Sequence, residues 1–446
     1  EGLCLLEIIQ PKSIDSIVTD PPYELNFMNK GWDKSGIAFQ PDTWEKCYEV
    51  LKPGGYLLAF GGTRTFHRIA CAIEDAGFEI RDTIMWLYGS GFPKSMNIGL
   101  SLDKKEGLQG QRGIGGFNVG GIQEQENRKA KLYIGSTTDG SKKEAYTDYK
   151  SDIAKKWSGW GTALKPSYEP IIVARKPFSG SLIDNVIKYG VGGLNIDECR
   201  VAFNGDMWKN HKSGTTSRAY QSEETTTAGG ICEPNENGRF PANTILTYDD
   251  TDFEEVCGGM PDTNSTYNAE SKHETVIHRN NADVLKYGFK ERIDSSSYND
   301  SGSASRYFYC AKASKKDRDE GLQYFEQERV NDGRQAPIDN PFQRGETLRK
   351  NTHPTVKPCE LMQYLIRLVT PNGGTILDPF NGSGSTGKAA MYENLENNKG
   401  YKYIGIDLSD EYLEISRARI EYAIHKPEIL KKQIEETRGY EELSLF

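Results

Sequence analysis

The sequence predicts an α/β protein, a mostly parallel, doubly wound sheet with an irregular module inserted between its two halves. Three observations predict it. Short β-branched or apolar runs alternate with helical spacings at the beginning of the chain and again at its end. Their connections are short and rich in Pro and Gly. Between the two regions this rhythm fails and the chain turns polar.

Taken in order, residues 15–20 (DSIVTD) are a β-branched run stopped by Pro21 and Pro22, a strand. Trp44, Cys47, Tyr48 and Leu51 recur on one helical face, and Pro53-Gly54-Gly55 should end that helix. Residues 56–60 (YLLAF) follow as a buried strand. Phe66, Ile69, Ala70 and Ile73 repeat the helical spacing, Gly77 closes it, and residues 79–88 make the next strand. Residues 97–163, with GIGGFNVGG at 113–121, offer few apolar positions and read as a loop-rich insertion. Residues 168–176 recover a strand. From 177 to 350 the chain is polar, with apolar islands at 240–248 and 305–312 expected to be short strands of a smaller module.

Leu361, Met362, Leu365, Ile366, Leu368 and Val369 then form a helical stripe ended by Pro371-Asn372-Gly373-Gly374. A strand at 375–377, a glycine-rich turn, a strand at 403–406 and an amphipathic helix marked by Leu413, Ile420 and Ile424 complete the pattern. The expected organisation is therefore 1–96, one half of the α/β domain; 97–163, the insertion; 164–176, a strand returning to the sheet; 177–350, the middle module; and 351–446, the second half.

Composition bounds the function. With 446 residues, 36% hydrophobic, 11% aromatic and 27% charged, the chain is too apolar for a disordered protein, yet polar enough to imply large loops. No apolar run approaches the ~18 residues of a helical membrane span, and no signal-like stretch opens the sequence, so a soluble cytoplasmic protein is expected. The eight cysteines include no CxxC pair, which argues for reduced thiols and against a zinc site. A net charge of −9 repels nucleic acid on average, so DNA binding requires a local basic face. Lys165, Arg175, Lys176 and the run from Lys312 to Arg318 are candidates for it.

Two constellations carry chemistry. Asp20-Pro21-Pro22-Tyr23 lies at the carboxyl end of a strand, where open α/β sheets bind ligands. Its bland reading is a strand followed by a proline-stiffened turn. Its chemical reading is specific: an aromatic amino group has its lone pair delocalised into the ring, and an acceptor pair that binds both N–H protons turns that pair outward. The Asp20 carboxylate and a backbone carbonyl held by the prolines supply such acceptors, and Tyr23 supplies a stacking face.

The second constellation is Asp378-Pro379-Phe380-Asn381-Gly382-Ser383-Gly384-Ser385-Thr386-Gly387, a strand turning into a helix. Its glycines let a ligand approach the backbone and the helix amino end. Asp407 ends the next strand, at the spacing at which an acid accepts hydrogen bonds from ribose hydroxyls. Gly382 to Lys388 also fits the GxxxxGK loop of NTPases, but Ala389 stands where a magnesium-binding hydroxyl is needed.

Together, DPPY at 20–23, LKPGG at 51–55, HPTVKP at 353–358 and DPFNGSGSTG at 378–387 resemble the DNA amino-methyltransferases that use S-adenosylmethionine. The motif order resembles their β group, which implies a Rossmann-like methyltransferase fold in circularly permuted order with an inserted target-recognition module at 177–350. The resemblance implies double-stranded DNA as partner, in a prokaryotic or phage setting near the nucleoid. A homodimer and a cognate restriction endonuclease that activity does not require are both compatible with it.

Carried over residue by residue, the resemblance gives Asp20, Pro21, Pro22 and Tyr23 the flipped base. It sets Lys357 at the methionine carboxylate, places Asp378, Phe380, Gly382, Ser383, Gly384 and Thr386 along the cofactor, and gives Asp407 the ribose. GWD at 31–33 and GSGFPKS at 89–95 resemble further stretches near this site. One departure is Leu3, where relatives commonly carry an acid. Members with Asp at the first motif position mostly methylate N6 of adenine, while N4-cytosine enzymes usually carry Ser. Cytosine C5 chemistry needs a cysteine nucleophile, and the Pro358-Cys359 pair begins a helix on the cofactor side. A DNA-binding subunit with a decayed site is the alternative from another class.

Overall fold

The computed structural model describes residues 6–25, 33, 35–88, 95–108, 111–115, 132–136, 142–201, 211–213, 230–232, 238–247, 309–311, 315–330 and 347–443. The chain divides into a larger unit, Glu1–Gly89, Tyr168–Glu328 and Arg349–Phe446, and a smaller one, Ser90–Ser167 and Arg329–Leu348.

The larger unit is built on an eight-stranded sheet. Its strands are β1 (Ile14–Thr19), β2 (Leu51–Phe60), β3 (Glu79–Tyr88), β4 (Tyr168–Arg175), β5 (Thr244–Thr247), β6 (Tyr309–Ala311), β7 (Thr375–Asp378) and β8 (Lys402–Gly405). Their spatial order is β6-β5-β3-β4-β2-β1-β7-β8. Every neighbouring pair is parallel except the two made by β4, which runs antiparallel between β2 and β3.

The period of two along each strand feeds both faces. Leu58, Phe60, Ile171 and Val173 enter one core together with Leu361, Leu365 and Ala390. Leu57, Ala59, Ile172 and Ala174 enter the other with Trp44, Cys47, Ile69 and Ile73. Helices α1 (Pro41–Val50) and α2 (Phe66–Asp75) therefore cover one face. Three more helices complete the unit's main framework: α3 (Leu182–Tyr189), α4 (Lys315–Asp319) and α5 (Cys359–Val369). They are followed by α6 (Ser385–Asn397) and α7 (Asp410–Leu443). Of these, α5 and α6 bury apolar residues in the face opposite α1 and α2.

Three expectations change in detail. Helix α1 stops at Val50, and Pro53-Gly54-Gly55 lies inside β2 rather than ahead of it. The register against β1 jumps from Ile14↔Leu51 to Ser16↔Tyr56, a bulge made feasible by Gly54 at φ +83°. The bulge stays hydrogen-bonded, since Gly54 N–H donates to the Lys176 carbonyl and Lys176 N–H to that of Gly55, each at 2.9 Å. Next, the islands at 240–248 and 305–312 supply β5 and β6 of the main sheet, not strands of a sheet of their own. Ile245 and Leu246 are buried there, and the Trp86 indole N–H donates to Thr247 Oγ1 at 2.7 Å. Finally, α3 lies in a stretch read as irregular; Ser181 caps its start and Gly190, at φ +72°, its end.

The smaller unit holds helices Ile98–Lys105 and Asp152–Lys156. It also contains an antiparallel sheet of Gln111–Gly115, Lys142–Asp148 and Leu132–Ser136, with Lys142–Asp148 central. Buried Asp103 accepts hydrogen bonds from the Lys150 and Ser151 N–H groups and from Ser151 Oγ. No described helix is long and apolar enough to cross a membrane.

Candidate active site

The centre of the large sheet is a topological switch point. β1 leads through α1 to β2 on one side, whereas β7 leads through α6 to β8 on the other. Crossovers that diverge from adjacent strands leave a crevice at the strands' carboxyl ends. Asp20 follows β1 and Asp378 ends β7, so the two motifs meet there although most of the chain separates them.

Polar stitches hold the seam. Thr19 Oγ1 donates to Asp378 Oδ1 at 2.6 Å, and Ser16 Oγ shares a 2.8 Å hydrogen bond with Thr370 Oγ1. The Thr375 N–H donates to Asp15 Oδ2 at 2.8 Å.

Around Asp20 the structure gathers Tyr23, Glu169 and Lys357. The Lys357 ammonium lies 2.5 Å from Asp20 Oδ2 and 3.6 Å from Glu169 Oε2. The Tyr23 hydroxyl donates to Glu169 Oε2 at 2.7 Å. The ammonium also stands 5.4 Å from the Tyr23 ring centroid and 5.0 Å from that of Phe60, within cation–π range. Burial pushes the Asp20 carboxyl above its ordinary range; the Lys357 charge opposes this and Glu169 adds to it. Burial works against the Lys357 charge too, but Asp20 and Glu169 outweigh it and the ammonium is held. Burial, with the two carboxylates, keeps the Tyr23 phenol protonated.

Asp20 Oδ1 is buried and, among the described residues, has no hydrogen-bond partner. The turn around it is fixed elsewhere: Thr65 Oγ1 donates to the Tyr23 carbonyl at 2.7 Å, and the Asp33 carboxylate accepts the N–H groups of Glu24 and Leu25 at 2.9 and 3.1 Å.

The glycine-rich loop is arranged around two conformations that only glycine adopts readily. Gly382 has φ +49°, and a Cβ there would come within 2.8 Å of His353 Nε2; Gly384 has φ +73°, with Ser416 Cα 3.0 Å from where a Cβ would stand. Asp407 Oδ2 accepts the Gly382 N–H at 2.7 Å and Oδ1 that of Ser409 at 2.9 Å. Each carboxylate oxygen keeps further acceptor capacity. Phe380 packs 6.2 Å from Trp44. Ser383 and Thr386 are buried and turned inward: Arg419 donates to Ser383 Oγ at 2.9 Å, and Thr386 Oγ1 donates to Asp378 Oδ2 at 2.6 Å. Asp378 is thus the hub that ties β1, the loop and α6.

Burial raises the Asp378 carboxyl to about 6, against the hydrogen bonds from Thr19, Thr386 and the Phe380 N–H. A raised carboxyl favours folding below the unfolded value near 4, and this contribution is lost as pH rises through 6. Asp378→Asn should remove that dependence. Urea titrations from pH 4 to 7 are expected to show wild-type stability falling relative to the variant, by on the order of 2–3 kcal/mol.

Other residues singled out by sequence take different places. Lys388 is fully buried, 2.8 Å from Asp317 Oδ1 and 3.0 Å from Glu320 Oε2, where no nucleotide phosphate could reach it. Cys359 is buried, and that burial pushes its thiol up, the opposite of an activated nucleophile.

Of the basic candidates for DNA, Lys176 is buried and donates to the Leu51 carbonyl at 2.8 Å, and Arg175 pairs with Glu79 at 2.6 Å. Arg318 donates to the His353 carbonyl at 2.9 Å, while Lys165 is exposed. The sheet claims the first two because Arg175 ends β4 between β2 and β3 and Lys176, just after it, is bonded to Gly54 and Gly55 of β2. Leu3, Gly31, Trp32, residues 89–94 and Lys312 lie outside the described residues. Glu169 was not anticipated, since an acid two residues into an apolar strand looks like any solvated strand end.

A family model described as DNA methylase, of the N6/N4 class, matches residues 14–418, from β1 into α7. The Type II methyltransferase M2.DpnII of Streptococcus pneumoniae is 46% identical over 69 residues, covering 16% of this chain and 24% of its own length. M2.LlaDCHI of Lactococcus lactis subsp. cremoris is 33% identical over 218 residues, 43% of this chain and 76% of its own. The chain thus spans about a quarter of the first relative and about three quarters of the second. Among solved structures, the PvuII DNA methyltransferase (cytosine-N4-specific) aligns with a TM-score of 0.38 at 12% identity, covering 94% of this chain and 83% of that one. On the strength of the match over residues 14–418, the chain belongs to the N6/N4 DNA methylase family.

Proposed function

We propose that the protein transfers the methyl group of S-adenosylmethionine to the exocyclic N6 of adenine, in a nucleotide flipped out of double-stranded DNA. The observation that carries this reading is the buried, unpartnered Oδ1 of Asp20 beside the Tyr23 ring, at the carboxyl end of the strand next to the glycine-rich loop. A buried acceptor without a donor costs about 1–3 kcal/mol, and an incoming amino N–H would satisfy it.

The loop's chemistry supports the cofactor. Gly382 and Gly384 hold left-handed turns packed against His353 and Ser416, which shape the strand-to-helix turn, and Asp407 retains acceptor capacity for ribose hydroxyls. Phe380, Gly382, Ser383, Gly384 and Thr386 would border the methionine and sugar portions, with Asp378 holding the loop in shape. When bound, the cofactor supplies a methyl group made electrophilic by its sulfonium sulfur.

The protein's own part is orientation. Asp20 accepts a hydrogen bond from one amino N–H, a backbone carbonyl of the Pro21-Pro22 turn accepts one from the other, and Tyr23 stacks against the base. The nitrogen lone pair then projects out of the ring plane towards the methyl group. Flipping costs a few kcal/mol of pairing and stacking, which the stack and the hydrogen bonds offset. Target choice is assigned to the segment 177–350, apart from the strands it lends to the sheet.

Asp rather than Ser at the first motif position supports adenine over cytosine. The test is direct: unmodified DNA is incubated with protein and S-adenosylmethionine, digested to nucleosides and separated. N6-methyladenine is the expected product, and N4-methylcytosine would overturn the assignment.

A further inference from the structure

Glu169 is a residue of the site that lies outside the four motifs on which the resemblance rests. It enters from β4, the one antiparallel strand, opposite Trp86 of β3. Its Oε2 serves two partners, the Tyr23 hydroxyl at 2.7 Å and the Lys357 ammonium at 3.6 Å. Lys357 reaches Asp20 Oδ2 from the segment before α5 and is itself buried. A single carboxylate therefore anchors both the aromatic face and the cation that touches Asp20.

We propose that Glu169 and Lys357 are a positioning pair for the methyl-transfer step, in which Glu169 anchors Lys357 and Tyr23, and Lys357 holds Asp20 as an acceptor whose unpartnered Oδ1 is left for the target amino group. The proposal rests on the methyltransferase reading and adds two residues that act through Asp20.

The physical need is plain. A protonated carboxyl carries a donor, and a donor facing an amino N–H repels it, so Asp20 works only as a carboxylate. Burial disfavours that form, and the negative charge of Glu169 from β4 does so further, while the charge of Asp20 in turn raises Asp378 on β7. Tyr23, on the same turn, is a neutral phenol. Among the described groups around Asp20, the opposing positive charge comes from Lys357. Its ammonium has three donors, and Asp20 Oδ2 takes one, which holds the carboxylate on that side and leaves the buried Oδ1 without a donor. Without Glu169, the Lys357 side chain loses its second anchor and Tyr23 loses the acceptor that sets its ring.

The experiment uses the full-length protein with S-adenosylmethionine and unmodified DNA, and measures single-turnover methylation across pH together with calorimetric cofactor affinity. Glu169→Gln should slow turnover ~10-fold or more with cofactor affinity within ~3-fold of wild type. Lys357→Met should slow it ~100-fold or more and move the acid limb of the rate profile upward by about one pH unit, because Asp20 then holds its proton to higher pH. Lys357→Arg should return the limb towards its wild-type position. In the double variant Glu169→Gln/Lys357→Met the cost should fall well short of the product of the two single costs, because Glu169 acts partly through Lys357; what it adds to Lys357→Met is its separate hold on Tyr23.

A Lys357→Met protein with normal turnover at saturating cofactor but cofactor affinity weakened ~10-fold or more would overturn the proposal and return Lys357 to the methionine carboxylate. An unmoved acid limb, or costs that multiply in the double variant, would overturn it as well. Full turnover in Asp20→Ala, measured alongside, would remove the parent reading and the proposal together.

Discussion

Asp20→Ala is expected to reduce methyl transfer at saturating cofactor ~100- to 1,000-fold while leaving the affinity for S-adenosylmethionine within ~3-fold. The side chain lost is the one whose buried Oδ1 has no partner among the described residues and whose Oδ2 meets Lys357 at 2.5 Å, so the variant loses both the proposed amino-group acceptor and the cation's main partner. Cofactor affinity is spared because Asp20 lies in the turn after β1, whereas the glycine loop and Asp407 are braced by their own hydrogen bonds. Asp20→Asn should be nearly as slow. It keeps one carbonyl oxygen but gives up the charge, and its amide donors face the Lys357 ammonium with nothing to accept them. Rapid-quench methylation beside calorimetry separates the two effects, and turnover close to wild type in either variant would refute the role assigned to the carboxylate.

The largest effect on folding is expected from Lys388→Met. Lys388 is fully buried in α6, with its ammonium against Asp317 and Glu320; Asp317 also accepts the Cys359 N–H, and its carbonyl accepts from Arg419 at 2.9 Å. Removing the cation leaves Asp317 and Glu320 in a poorly solvated site with only Arg419 and Lys426, the latter 3.5 Å from Glu320, as positive neighbours among the described residues. Breaking a buried pair from one side costs roughly 3–5 kcal/mol, more than the pair itself contributes. Urea denaturation should show the midpoint falling accordingly with the slope unchanged. A loss below about 1 kcal/mol would mean that the cluster relaxes into solvent when the lysine is absent.

How far such residues are legible before folding depends on the range of their partners. The strands and helices with clean periodicity, such as YLLAF at 56–60 and the stripe from Leu361 to Val369, stand where local pattern places them. The two motifs were also readable as a pair, because their chemistry names the strand ends on which they must sit. Local pattern fails where a partner is remote. Thr244–Thr247 and Tyr309–Ala311 are too short to announce which edge they join, and β3 decides it. Lys388 has the spacing of a phosphate-binding lysine and becomes an internal counter-ion only because α4 brings Asp317 beside it. Asp20 and Lys357 are named by their motifs, but Glu169 is an ordinary charge until the sheet order sets it 3.6 Å from Lys357.

The hydrogen bond between Thr19 and Asp378 closes over 359 positions of sequence. On the ribosome, at ~5–20 residues per second, β1 therefore waits about 20–70 s for its neighbour to be made. During that interval one edge of β1 lies open, and the acceptor for the amino group exists without the loop that would present a methyl donor to it. A product terminated before β7 has the first motif without the second, so on the methyltransferase reading it would have no means of transferring a methyl group.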